Sequence, residues 1–148
     1  MKINVKESLR SLQPYSVQKE NIRIKLDANE NPYNLFEEIQ EDFIKKIKRV
    51  DINRYPDTDS DELRLKIAEH VGVKKENVIC GNGSDEIIQM LIHAFVDKGE
   101  YVITHRPTFS MYKSFVNVAG GNIVEIPCDQ NFCVSEEEII KEANEKKA

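Results

Sequence analysis

A chain of 148 residues, 40% hydrophobic and 32% charged, is long enough for one ordinary domain with a real core and has a soluble, globular balance. Its 21 basic and 26 acidic residues give a net charge of −5 without a basic block, which sets aside nucleic acid and anionic membrane as partners. Met1 to Leu12 is not a secretory signal, no apolar run approaches the roughly 20 residues that span a bilayer, and Cys80, Cys128 and Cys133, without C-x-x-C spacing, read as free thiols of a reducing cytoplasm.

Residues 1–26 read as an extended arm containing Pro14. Leu26 to Tyr33 is dense in Asn and Asp and closes on Pro32, so it is a shaped loop. Its amides and carboxylates are turn chemistry or the lining of a polar pocket. Leu35 to Val50 places Phe36, Ile39, Phe43, Ile47 and Val50 on one helical face, and Lys45, Lys46, Lys48 and Arg49 at its end suit the helix dipole. Arg54 to Asp57 is a second shaped loop, with Tyr55 before a proline. Asp59, followed three residues later by Glu62, predicts a capping box and a helix to about His70, with Leu63, Ile67 and Val71 inward and Gly72 as its stop.

Val78, Ile79 and Cys80 read as a short buried strand that breaks at Gly81-Asn82-Gly83. A helix then begins near Ser84 or Asp85, with Ile88, Leu91, Ile92 and Phe95 on one face. The first N–H groups of such a helix lack internal partners and carry partial positive charge. Gly83 has no Cβ to hold a phosphate off the backbone, and Ser84 adds a hydroxyl donor. The same residues also make an ordinary tight turn and N-cap. The stretch is not a Walker loop, because no lysine follows the turn. It is not Gly-x-Gly-x-x-Gly, because Glu86 stands at the third glycine.

Gly99 is the expected C′ residue of that helix. Tyr101 to Thr104 is a strand, Arg106 to Phe109 a loop, and a helix to Ala119 carries Met111, Phe115 and Val118 on one face before Gly120-Gly121. Asn122 to Ile126 is a third strand, and Ser135-x-x-Glu138 caps a last helix. The order β-α-β-α-β-α from Val78 predicts a parallel α/β sheet with ligands at the strands' carboxyl ends. Gly81–Asp85 and Pro107–Phe109 both fall there, which favours a phosphate-bearing ring cofactor. Phe109 as a core aromatic capping a strand is the alternative.

Four segments together, in this order and spacing, resemble the fold-type I pyridoxal-phosphate aminotransferases, and among them the histidinol-phosphate branch. They are Leu26-Asp-Ala-Asn-Glu-Asn-Pro-Tyr33, Arg54-Tyr-Pro-Asp57, Gly81-Asn-Gly-Ser-Asp-Glu86 and Pro107-Thr-Phe109. The resemblance implies an arm and substrate loop over 1–33, a helical segment over 34–72 and a partial cofactor-binding large domain over 73–148. It implies that Gly83, Ser84 and Asp85 cradle the phosphate of pyridoxal 5′-phosphate and that Phe109 stacks on its ring. Tyr55 would reach the phosphate of the partner subunit in a homodimer, and Asn29, Glu30 and Asn31 would border the substrate pocket.

Two details depart from the pattern: Tyr15 is followed by Ser16 and Val17 rather than Pro-Gly, and Asn34 follows the Asn-Pro-Tyr run directly. The family's Schiff-base lysine, its pyridine-pairing Asp and its substrate-phosphate arginines have no counterpart here. The resemblance therefore implies the N-terminal part of a cytoplasmic transaminase of L-histidinol phosphate and 2-oxoglutarate, inactive by itself, with no metal and with its parallel sheet incompletely covered. The alternatives are a non-catalytic phosphate-binding or dimerisation module, and an aminotransferase or decarboxylase of the same superfamily with another substrate.

Overall fold

The structure, a computed structural model, describes Lys6, Leu9, Arg10, residues 23–26 and residues 28–148. Most of the expected N-terminal arm, with Tyr15 to Val17, lies outside the described residues, as does Asp27. Two compact units divide the chain after Val78: Tyr15–Val78, and Ile79–Ala148 with Met1–Pro14.

In the unit Tyr15–Val78, helix α1 spans Phe36–Ile47 and helix α2 spans Asp61–Val71, followed by a 3₁₀ turn at Lys75–Asn77. Asn34 starts α1: its Oδ1 accepts the N–H of Phe36 at 3.2 Å and its Nδ2 donates to Glu37 at 3.2 Å. Phe36 and Phe43 meet edge to face at 5.4 Å, yet none of the described α1 side chains is buried. The capping box expected from Asp59 and Glu62 does not form. Asp57 does the work instead, its carboxylate accepting the N–H of Asp61 at 2.7 Å and of Asp59 at 3.1 Å. Ser60 sits between them at φ 50°, a left-handed kink that carries the Asp57 carboxylate to the helix mouth. Ala68 is buried, whereas Leu63 and Val71, both expected inward, are exposed. Gly72, at φ 74°, ends α2 as expected.

In the unit Ile79–Ala148, helix α3 spans Gly83–Phe95, strand β1 Tyr101–Arg106, helix α4 Met111–Ala119, strand β2 Asn122–Pro127 and helix α5 Glu136–Lys146. The two strands pair in parallel from Tyr101↔Asn122 to Arg106↔Pro127, with α4 as the crossover between them. Helix α4 packs on β2 and on α3, and α5 packs on β1. Val116, at 0% exposure, is the centre, joined by Ile126 at 7% and Ile92 at 8%.

The predicted strand Val78–Cys80 is a correction. Val78 is extended, but it joins no ladder among the described residues, and Ile79 is exposed rather than buried. A strand exists only with a partner to receive its hydrogen bonds. Gly99 is a second correction: α3 ends at Val96, and Gly99 (φ 92°) instead shapes the turn in which Glu100 N–H reaches Asp97 O at 3.1 Å. The face of α3 is half as wide as read, with Ile92 inward and Leu91 and Phe95 exposed.

Local signals elsewhere behave as expected. Gly120 ends α4 at φ 89°, and the Ser135 side chain accepts the N–H of Glu138 at 3.2 Å. Gly121 is required by packing. A Cβ there would lie 2.9 Å from Val96 Cγ1, 3.2 Å from Val116 Cγ1 and 3.3 Å from the Glu100 carbonyl oxygen.

Candidate functional site

The glycine turn sits at the start of α3. Gly81 closes the turn through its carbonyl, which accepts the N–H of Gly83 at 2.9 Å. Asn82 therefore takes φ −78° and ψ 73°, an inverse γ-turn. The side chain of Glu86 folds back from the first turn of α3 and accepts the N–H of Asn82. Two of the turn's donors are thus used internally. Among the described residues no group accepts the N–H of Ser84 or Asp85, and these point to the helix mouth.

Gly83 supplies room rather than a donor. It stands at φ 82°, and a Cβ built there would meet nothing within 4 Å. An anion can approach that open space only while the position stays glycine or another small residue. Both requirements of a phosphate cradle, free N–H donors and an unobstructed approach, are present at Gly83, Ser84 and Asp85, and the residues fit such a group.

Phe109 lies in the same unit, in the loop after β1, and therefore beyond the carboxyl end of the two-stranded sheet. The Arg106–Pro107 peptide leading to it is cis. The Phe109 ring stands edge to face with Tyr112 at 6.1 Å and 87° and remains 46% exposed. One face of a large aromatic ring is therefore available, which a buried strand-capping residue would not offer.

The other sequence-predicted residues lie in the unit Tyr15–Val78. Tyr55 is 97% exposed. Asn29 takes φ 50°, and Glu30 is held by Lys25 through an ion pair of 2.9 Å. Asn31 closes an Asx turn, its Oδ1 accepting the N–H of Tyr33 at 3.0 Å across Pro32. The loop is thus shaped by its own side chains. A hollow of about 610 Å³ in this unit lies elsewhere, between α2 and the 3₁₀ turn, with Leu65, Ala68 and Val73 in its wall. It contains none of the predicted site residues.

Three residues here escaped the sequence reading. Asp57 and Glu86 are capping carboxylates, and a carboxylate a few residues from a turn was the available signal for both. Arg64 donates to three backbone carbonyls: Val78 at 2.8 Å, Lys75 at 3.2 Å and Asp59 at 3.3 Å. Nothing in the sequence marks a backbone acceptor, so no pattern could have found it.

Comparison with known proteins adds a lineage to this geometry. The family model for aminotransferases of class I and II matches residues 21–148. The histidinol-phosphate aminotransferase of Pyrococcus furiosus is 41% identical over 136 residues, covering 92% of this chain and 40% of that protein. The crystal structure of histidinol-phosphate aminotransferase from Sinorhizobium meliloti in complex with pyridoxal-5′-phosphate superposes with a TM-score of 0.63 at 21% identity, over 70% of this chain and 28% of that one. Aspartate aminotransferase from Thermotoga maritima gives 0.64 at 24% identity, over 77% and 32%. These superpositions show the fold, that of the fold-type I aminotransferases. The chain spans about 40% of the length of the curated relatives it matches.

Proposed function

The chain belongs to the aminotransferases of class I and II, and from that premise we propose that it is the N-terminal, cofactor-phosphate-binding portion of a histidinol-phosphate transaminase. The observation that carries the reading is the mouth of α3, where Ser84 and Asp85 offer free N–H groups beside a glycine at φ 82° with open space where a Cβ would be. The 41% identity to the Pyrococcus furiosus protein supports the choice of L-histidinol phosphate and 2-oxoglutarate as substrates.

Pyridoxal phosphate, when bound, supplies the electron sink for amino-group transfer. The chain's own residues bind and orient. Ser84 and Asp85 donate backbone N–H groups to the phosphate, and the Ser84 hydroxyl donates a third bond. Phe109 would offer its exposed ring to the pyridine. Tyr55 donates its phenol O–H to the phosphate held by the partner subunit, so a complete site is a property of a homodimer. Asn29, Glu30 and Asn31 border the substrate. No lysine of this chain is assigned the amine that holds the cofactor and moves the proton. Turnover therefore needs the portion of the relatives that this chain does not match.

The reading is tested by titrating the chain with pyridoxal phosphate against inorganic phosphate as competitor. Weak binding is expected, reduced about ten-fold or more by Gly83→Val, which fills the open approach. If Gly83→Val binds like the parent, the cradle is wrong. Borohydride reduction with peptide mapping should give no single stoichiometric lysine adduct, and one specific adduct would sink the claim that the amine lies elsewhere. Supplying the remainder of the enzyme as a second polypeptide should bring turnover with histidinol phosphate. Turnover only with another amino donor would leave the family and remove the branch.

A further inference from the structure

Tyr55 has no means of holding its own place. Tyr55 is 97% exposed, so what the fold can fix is the backbone that carries its ring. That backbone is anchored downstream. The Asp57 carboxylate accepts two N–H groups of the turn, and Ser60 N–H returns to the Asp57 carbonyl at 3.3 Å. This knot is tied to the rest of its unit by Arg64. The Nη1 donates to the Asp59 carbonyl at 3.3 Å, Nη2 to the Lys75 carbonyl at 3.2 Å and Nε to the Val78 carbonyl at 2.8 Å.

The three acceptors lie on two segments: Asp59 in the turn after Tyr55, and Lys75 and Val78 at the first residue and the C-cap of the 3₁₀ turn, beyond which the chain runs through Ile79 and Cys80 to the glycine turn. A planar fork of five donors can serve three such acceptors at once, which an ammonium on a flexible stem cannot do with the same geometry. The Lys75–Asp61 ion pair at 3.0 Å joins the same two segments from outside. The Arg64 side chain is 23% exposed, so its bonds are only partly open to competing water.

We propose that Arg64 is the positioning residue for Tyr55, fixing the Tyr55–Asp61 turn on Lys75 and Val78 so that the backbone carrying the phenol is held in one place. The proposal rests on the reading of Tyr55 as a phosphate donor, and it assigns the residue on which that donor depends. Arg64 touches neither cofactor nor substrate. It acts on the backbone that carries Tyr55.

Hydrogen-exchange mass spectrometry of the chain tests it, with Arg64→Gln and Arg64→Lys. In Arg64→Gln, residues 52–60 should exchange about ten-fold faster or more, while residues 63–71 of α2 keep their protection. Arg64→Lys should restore part of the protection. If 52–60 and 63–71 lose protection together, Arg64 merely braces α2 and the proposal is overturned. It is equally overturned if neither changes.

The functional arm uses the pair reconstituted with the second polypeptide. Arg64→Gln should weaken retention of pyridoxal phosphate about ten-fold in the parent background and add nothing in the Tyr55→Phe background. Equal losses in both backgrounds mean a general structural effect and overturn the positioning role. Should Tyr55→Phe itself leave retention unchanged while the exchange pattern holds, the reading of Tyr55 falls and the positioning of its turn stands.

Discussion

The two units of this chain are built from the same material, amphipathic helices, and put it to different use. In Ile79–Ala148 a parallel strand pair gives α4 and α5 something to lie on, and the apolar residues converge on Val116, Ile126 and Ile92. In Tyr15–Val78, α1 carries an equally regular apolar stripe, yet Phe36, Ile39, Phe43, Ile44 and Ile47 stay exposed, and Ala68 is the one core side chain among the unit's described residues. An apolar period states that a face wants covering. It does not name the cover. In the first unit the cover is a sheet a few residues away along the chain. In the second the fold is held chiefly by polar knots: Asp57 at the mouth of α2, Arg64 across two segments, and Asn34 at the start of α1.

The sharpest way to break the comparison is Val116→Asp. The position is fully buried among apolar neighbours, so an unpaired carboxylate there should cost several kcal/mol and abolish protection across β1 and β2. If the two units are as independent as their construction suggests, α2 keeps its exchange protection. Collapse of α2 in the same variant would show one cooperative body and void the contrast. Gly121→Ala probes the same core from the other side. The added methyl meets Val96 Cγ1, Val116 Cγ1 and the Glu100 carbonyl, and the carbonyl cannot yield as a flexible side chain does. A loss of about 1–3 kcal/mol in urea unfolding is expected. A neutral result would mean that the sheet end relaxes freely.

The polar knots give smaller effects, which sharpen the comparison. Asp57→Ala removes the acceptor of two N–H groups and should cost about 1 kcal/mol, while Asp59→Ala should stay within about 0.5 kcal/mol. Thermal melts of the pair decide it. Equal losses would mean that the cap is shared and that Ser60's left-handed turn has not moved the role to Asp57.

That pair also shows where the sequence was legible. Signals contained within a few residues came through: the Ser135 cap and the glycines that end α2 and α4. The glycine turn that opens α3 belongs with them, because Gly81, Asn82 and Gly83 are adjacent and the turn closes among themselves. Failures came wherever a residue's role depended on a distant partner. Val78–Cys80 has strand composition and joins no ladder among the described residues. On α4 the wholly buried residue is Val116, which the spacing did not single out, while Met111, Phe115 and Val118 are half-buried, because β2 and α3 together decide which side is covered. Asp59 satisfied the capping spacing, yet one left-handed residue at Ser60 passed the role to a carboxylate two places earlier. Arg64 was invisible for the same reason, its acceptors lying 5, 11 and 14 residues away on main-chain oxygens.

The smallest effect tests whether ordinary surface charge matters to the second unit at all. Lys66 stands on α2 with Glu69 at 3.0 Å, and the pKa of its ammonium is raised above 10.5, first by the hydrogen bond to Glu69, then by that carboxylate's charge, with Glu62 adding a little and slight desolvation opposing. The folded value lies above the unfolded one, so the pair's contribution is complete below about pH 10.5 and is lost as pH rises through the folded value. Between pH 6 and 9 it is constant. The group is fully exposed, where long side chains give back in entropy and solvent screening most of what the charges gain. Lys66→Gln should therefore leave the melting temperature unchanged at pH 7, in contrast to Asp57→Ala on the same helix. Any difference between parent and Lys66→Gln should be confined to their behaviour above pH 10.5, where the parent alone loses the pair. A clear loss at pH 7 would show that α2 is held by its surface charges as much as by Asp57 and Arg64, and the distinction between a polar knot and a surface ion pair would not survive in this unit.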